Sequence, residues 1–347
     1  MASTVSTIVN YLSSSSIPSL SSPINALNQA APTLPYNIFT LWLFIKSDIV
    51  GIIMPIVAFA TFITSNTSPI RAAKAFTFVT LHLLQFCISN QSLSPEEDAK
   101  NKPWRPIPAG RLSVRSALIL RWFMLPACLL LSAAFGVLDV GIVMSTAIFL
   151  HNECGYDAHW FPRTALNAIA YTTFDTGAIL ISLGDRDKIF EAKTLLPLVI
   201  NASIILTTIH AQDFRDLIGD IQEGRSTIPI VLPKSSRASM PVLLVAWMAV
   251  LMAVHQEWNV VDWAALALGT VVGLRFYFIH EAAADQTSYT LYNVWLIVVR
   301  VALVLAQDSI TSAGPKAGWI DLLPNEVGTQ LFKQINTTGS VFPKFEF

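Results

Sequence analysis

The sequence predicts an all-α polytopic membrane protein with about nine transmembrane helices. Three observations predict it. Hydrophobic residues make up 53% of the 347 residues and charged residues only 13%, about half the charge of an average soluble domain; mean hydropathy is +0.54. Apolar runs long enough to span a bilayer recur along the chain. They are continuous, not alternating, which argues against a transmembrane barrel.

Residues 1–36 are Ser/Pro-rich and nearly uncharged. They lack the basic start and compact apolar core of a signal peptide, so they read as a flexible cytosolic lead. Apolar segments follow near 38–64, 72–91, 114–133, 134–151, 164–183, 194–213, 239–255, 260–280 and 289–307. A span needs about 20 residues, and several segments barely reach that, so eight is the alternative count. Together 37–308 form one helical domain, and 309–347 a C-terminal tail.

Loop charge orients the set. Lys100, Lys102, Arg105, Arg111 and Arg115 lie in one loop, and Arg215, Arg225, Lys234 and Arg237 in another. With nine spans both loops share a side with the N-terminus, and the positive-inside tendency makes that side cytosolic. Asn66 and Asn336, each in a glycosylation triplet, then face the lumen. The net charge of −1, without a continuous basic patch, gives no reason to expect nucleic acid. Cys87, Cys128 and Cys154 are odd in number and far apart, and form no zinc motif.

The two charged loops carry the chemistry. NQSLSPEEDAKNKPWRPIPAGRL, Asn90 to Leu112, crowds both signs of charge between apolar runs. HAQDFRDLIGDIQEGRSTIPIVL places Asp213, Asp216 and Asp220 at i, i+3 and i+7, along one face of a helix end. One such cluster could equally be a solvated helix terminus; two on one side point to a ligand. Hard oxygen donors suit Mg²⁺, which takes one or two carboxylates and completes its shell with substrate phosphate. Arg and Lys beside them would neutralise the remaining phosphate charge. A headgroup of that kind above an apolar interior describes a prenyl diphosphate at the lipid bilayer.

Asn90 … Asp98-x-x-Asn101-Lys102-Pro103-x-Arg105-Pro106 resembles the first aspartate-rich motif of the UbiA-type intramembrane prenyltransferase superfamily. Asp213-x-x-Asp216-x-x-Gly219-Asp220, then Gly224 and Thr227-Ile228-Pro229, resembles its second, and the likeness covers roughly 38–308. The NKPWRP run and the segment His151–Ala178 are similar to the fungal membrane-bound terpene cyclase branch. The resemblance implies a nine-helix bundle around a central apolar cavity and Mg²⁺-dependent ionisation of a prenyl diphosphate, farnesyl diphosphate in that branch, followed by cyclisation to a sesquiterpene. It also implies an integral membrane location, in the endoplasmic reticulum, with the active site facing the cytosol. Asp98, Asp213, Asp216 and Asp220 would be the catalytic carboxylates and, with Asn90, the metal ligands; Asn90, Asn101, Lys102, Arg105 and Arg225 would bind substrate. Two positions depart from the pattern: Ser94 replaces the middle acid of the first motif, with Glu96 or Glu97 as a nearby substitute, and Gln212 stands where a lysine often precedes the second. Transfer of the prenyl group to an aromatic or other small acceptor is the alternative chemistry, and a transporter the remote one.

Intramembrane charge is costly and usually faces a cavity or a partner. Arg300, in mid-segment, is expected to pair with Asp175 or Asp48, or to reach the diphosphate. Asp48 and Lys46 read as snorkelling near the start of the first span, and His82 as a hydrogen-bonded core residue.

Overall fold

The computed structural model describes residues 33–65, 67–255, 258–307 and 310, without the side chains of Glu97, Lys100 and Asn101. The lead through residue 32, the tail from 311, and both Asn66 and Asn336 lie outside the described residues. Two units are distinguished, Met1–Phe39 and Thr40–Phe347. The first is described only over 33–39, and the second holds every other element.

Helix α1 (Leu34–Ile45) and the stretch Ile49–Ile63, which ends in α2 (Met54–Ile63), form a pair bent by 64°. Pro55, in the first turn of α2, donates no hydrogen bond back across the break. A π-helical turn, Ile49–Ile53, fills the gap, with the Asp48 carbonyl accepting from both Ile52 N (2.8 Å) and Ile53 N (3.3 Å). Helix α3 (Pro69–Leu93) starts on the Ser68 side chain and stops at Ser94, whose non-helical backbone is the one that a following proline favours. The short α4 (Pro95–Asn101) therefore departs in a new direction and carries the first motif.

Next come α5 (Val114–Ala134) and α6 (Leu138–Ile148), the latter closed by a second π-turn, Phe149–Glu153. Helix α7 (Trp160–Leu183) ends at Gly184, where φ is +65° and Arg71 Nη1 donates to the Leu183 carbonyl at 3.0 Å. Helix α8 (Ala192–Thr208) runs through a 3-10 turn into α9 (Asp213–Gln222), which carries the second motif. Helices α10 (Pro233–Val254), α11 (Val260–Phe278) and α12 (Ala282–Leu305) complete the chain, with an Asn259–Asp262 capping box opening α11.

Among the described residues six stretches are long and apolar enough to cross a membrane, and the bent α1–α2 pair makes a seventh. The other two expected spans are helical but fall short of that standard. Helix α6 has only 11 residues. Helix α7 is long, yet its 24 residues include Arg163, Asn167, Asp175 and four threonines.

Helices α10, α11 and α12 pack in succession, α3 lies against α5 and α7, and α2 touches both α7 and α12. Glycines set the closest approaches. A Cβ at Gly273 would lie 2.5 Å from the Pro241 backbone, so α10 and α11 could not stay at their present separation. Gly273→Ala is expected to destabilise the fold by about 1–3 kcal/mol, read as a lower midpoint in detergent thermal-unfolding assays. Deeper in, Arg300 donates to both oxygens of Asp175, at 2.7 and 3.1 Å. Asn201 adds a third bond at 2.6 Å, and Arg300 lies 5.2 Å over the Phe59 ring. The buried charges of α7 and α12 thus answer each other, and the arginine does not pair with Asp48. His82 is a hydrogen-bonded core residue, bridging the Phe78 carbonyl (2.9 Å) and Ser132 (3.2 Å).

Candidate active site

One cleft collects both motifs. Asp98, Lys102 and Arg105 line it from the first, and Asp216, Asp220 and Arg225 from the second, with Asn90 and Ser94 at the end of α3. Its deeper wall is apolar and aromatic: Ile52, Leu83, Phe86, Met144, Tyr171 and Phe174. The cleft encloses about 180 Å³, less than the roughly 300 Å³ at which ligand pockets usually begin. A prenyl chain entering it would have to part those side chains.

The first motif turns at Ser94 and folds back through the prolines of Pro103–Pro108, so that Arg105 Nη1 donates to Asp98 Oδ1 at 2.6 Å. The second oxygen of Asp98 is buried and has no donor among the described residues. The Lys102 ammonium is mostly buried, which lowers its pKa; Arg105 lowers it further while Asp216 acts in the opposite sense. Asn90 donates weakly to Asn152 Oδ1 at 3.4 Å. The Asn101 side chain lies outside the described residues.

On the second motif, Asp220 repeats the pattern of Asp98. Its Oδ1 accepts from Arg225 at 3.1 Å, and its Oδ2 is buried without a donor. Asp216, about one-third exposed, lies 3.4 Å from Arg215 Nε. Asp213 stands behind Arg163, whose Nε and Nη2 both reach Asp213 Oδ1 at 3.0 Å. It is buried and does not line the cleft, whereas Arg163 does. Phe214 anchors α9, packing 5.2 Å from Phe276 and under Arg237 at 4.5 Å, and Arg237 is itself clamped by Asp285.

A third segment, ahead of α7, completes the wall. Ser226 N donates to the Ala158 carbonyl at 2.7 Å and Trp160 N to the Ser226 carbonyl at 2.9 Å. This short parallel bridge brings Asp157 to within 3.6 Å of Arg225. Asp157 and Arg163 escaped residue-by-residue reading, and Arg215 was read only as a loop charge. Arg163 sits just ahead of a segment read as apolar, and its spacing from Asp157 matches no ligand pattern. Asp48 also lines the cleft, so it does not snorkel to an interface.

Among the described residues five carboxylates and five cations line the cleft, so their formal charges cancel and an entering diphosphate would need cations of its own. The donor set fits a divalent metal. Among the described residues, Asp98 and Asp220 each keep one buried oxygen without a hydrogen bond, a costly state that a hard cation relieves. Among the described residues no three His, Cys, Asp or Glu side chains form a ready cage. Each ion would thus rest on one or two carboxylates and complete its shell with phosphate and water, the habit of Mg²⁺.

Residues 52–297 match the UbiA prenyltransferase family. The chain belongs to that family. It is 31% identical over 259 residues to the fumagillin β-trans-bergamotene synthase of Aspergillus fumigatus, covering 74% of this chain and 89% of the relative. It is 25% identical to the somaliensene A/B synthase of Streptomyces somaliensis, over 77% of this chain and 92% of that one. In fold it is similar to a UbiA homologue from Archaeoglobus fulgidus solved with GPP and Mg²⁺, with a TM-score of 0.54 at 14% identity, over 76% of this chain and 99% of the other. This UbiA member is thus an integral membrane enzyme of the terpene cyclase and prenyltransferase class.

Proposed function

We propose that the protein is a Mg²⁺-dependent terpene cyclase that ionises farnesyl diphosphate and cyclises the allylic cation to a sesquiterpene. The observation that carries this reading is one cleft with charged loops at one end and an aromatic, apolar wall at the other. The similarity to a bergamotene synthase over most of both chains supports cyclisation over transfer to an acceptor. Residues 37–308 would be the catalytic domain, between the 1–36 lead and the 309–347 tail. Its charged end would face the cytosol, in the endoplasmic reticulum.

In this reading Asp98, Asp216 and Asp220 hold the metal, with Asn90 and Asp213 supporting them. Bound Mg²⁺ supplies charge neutralisation of the diphosphate and so favours its departure. Lys102, Arg105 and Arg225, with Asn101 beside them, grip the same headgroup, and Arg163 and Arg215 add positive charge nearby. These groups are fixed before reaction, so they stabilise charge growing on the leaving oxygens without reorganising. As the allylic C–O bond breaks, its electron pair leaves with diphosphate, and a distal double bond of the same chain attacks the cation. Phe86, Tyr171 and Phe174 offer π-faces to the migrating charge and keep water from it.

Membranes carrying the protein, given farnesyl diphosphate and Mg²⁺ without an acceptor, are expected to release a volatile C15 hydrocarbon that EDTA suppresses. Gas chromatography–mass spectrometry of the headspace checks this. Consumption of the diphosphate only after a phenolic acceptor is added would move the protein to the prenyltransferases.

A further inference from the structure

We propose that Asp48 is the base that takes the last proton from the carbocation and so ends the cyclisation. The inference rests on the cyclase reading and adds to it the group that releases the product.

Of the five carboxylates lining the cleft, four lie beside arginine: Asp98 by Arg105, Asp220 and Asp157 by Arg225, and Asp216 by Arg215. Those four are committed to the charged end. Asp48 is different. It makes no ion pair among the described residues, and its one side-chain hydrogen bond comes from the Cys87 thiol at 3.8 Å. A thiol is a weak donor, so it does little to occupy the Asp48 carboxyl group. Lys102, Arg105 and Arg215 line the same cleft without forming an ion pair with it.

Position strengthens the case. Cys87 is one helical turn from Asn90 on α3, on the side of the apolar wall. Asp48 therefore sits at the boundary between the diphosphate grip and the hydrocarbon, beside Ile52, Leu83 and Tyr171. The break between α1 and α2 holds it there: Asp48 caps the π-turn, and its carbonyl takes two hydrogen bonds. A hydrocarbon cation folded in this cleft would present C–H bonds to the carboxylate.

The step balances without a co-reactant. A C–H bond next to the cationic carbon breaks and its electron pair becomes the new C=C bond. The proton forms an O–H bond on Asp48, and it passes to water when product and diphosphate leave.

The test separates ionisation from proton loss. In membranes matched for protein, Asp48→Asn is expected to release diphosphate within about threefold of wild type. The native hydrocarbon should fall at least tenfold and be replaced by water-captured alcohols or by alkenes with the double bond elsewhere. Asp48→Glu, which keeps an acid, should recover part of the native hydrocarbon and controls for folding. Cys87→Ala should keep diphosphate release and shift the product ratio. An unchanged product profile in Asp48→Asn overturns the proposal, as does a parallel loss of diphosphate release and hydrocarbon in a folded variant, which would assign Asp48 to the charged end. A wild-type protein that releases diphosphate but makes no hydrocarbon sinks the cyclase reading itself, a distinguishable failure.

Discussion

Asp220→Asn is expected to cut turnover about a thousandfold while leaving the folded protein at wild-type levels in membranes. Asparagine keeps the volume of the side chain and can still accept from Arg225, now 3.1 Å from Asp220 Oδ1. What it removes is the anionic charge and the buried second oxygen that no donor satisfies. Metal-assisted charge neutralisation contributes several kcal/mol to such reactions, and about 4 kcal/mol corresponds to three powers of ten in rate. The measurement is diphosphate release from farnesyl diphosphate across a magnesium titration. Near-normal release at matched protein levels would remove Asp220 from the metal site. Asp98→Asn should behave alike, since it shows the same arginine on one oxygen and the same unpaired second oxygen.

Arg300→Met should produce the largest loss of stability. It strips the bidentate partner from Asp175 and leaves a buried carboxylate with Asn201 alone. Breaking one side of a buried ion pair typically costs about 3–5 kcal/mol. Replacing both sides by apolar groups is often neutral, so Arg300→Met with Asp175→Leu should regain most of the thermal midpoint. Unfolding curves in detergent decide this. A single variant as stable as wild type, or a double variant worse than the single, would show that the pair does not hold the fold.

Some of this was legible in the sequence for simple reasons. Helix periodicity and apolar length mark elements that the lipid environment requires, and all nine expected segments are helical. Charge crowded between apolar runs marked the motif regions, and Asp98, Lys102, Arg105, Asp216, Asp220 and Arg225 do line one cleft. The rest depends on distances that no local pattern carries. Arg163 meets Asp213 across 50 positions, and Asp48 is drawn to Cys87 across 39. The bend that turns Asp48 inward arises from a π-turn and one proline, neither of which has a hydrophobic signature. For Arg300 both candidate acids were visible, and only the packing of α12 beside α7 and α2 selects Asp175.

The Asp175–Arg300 pair also has a consequence for how the chain is made. Synthesis delivers α7 long before α12, so the carboxylate enters the bilayer without its cation. A lone charge in mid-span costs about 2.5–3.5 kcal/mol on insertion scales. In the finished fold Asn201, on the next helix, also donates to it. Arrival of the last helix then relieves two unfavourable insertions at once, its own and the earlier one. A ribosome product cut short before Arg300 would keep an unpaired acid inside the membrane, a mark by which quality control could tell an unfinished chain from a finished one.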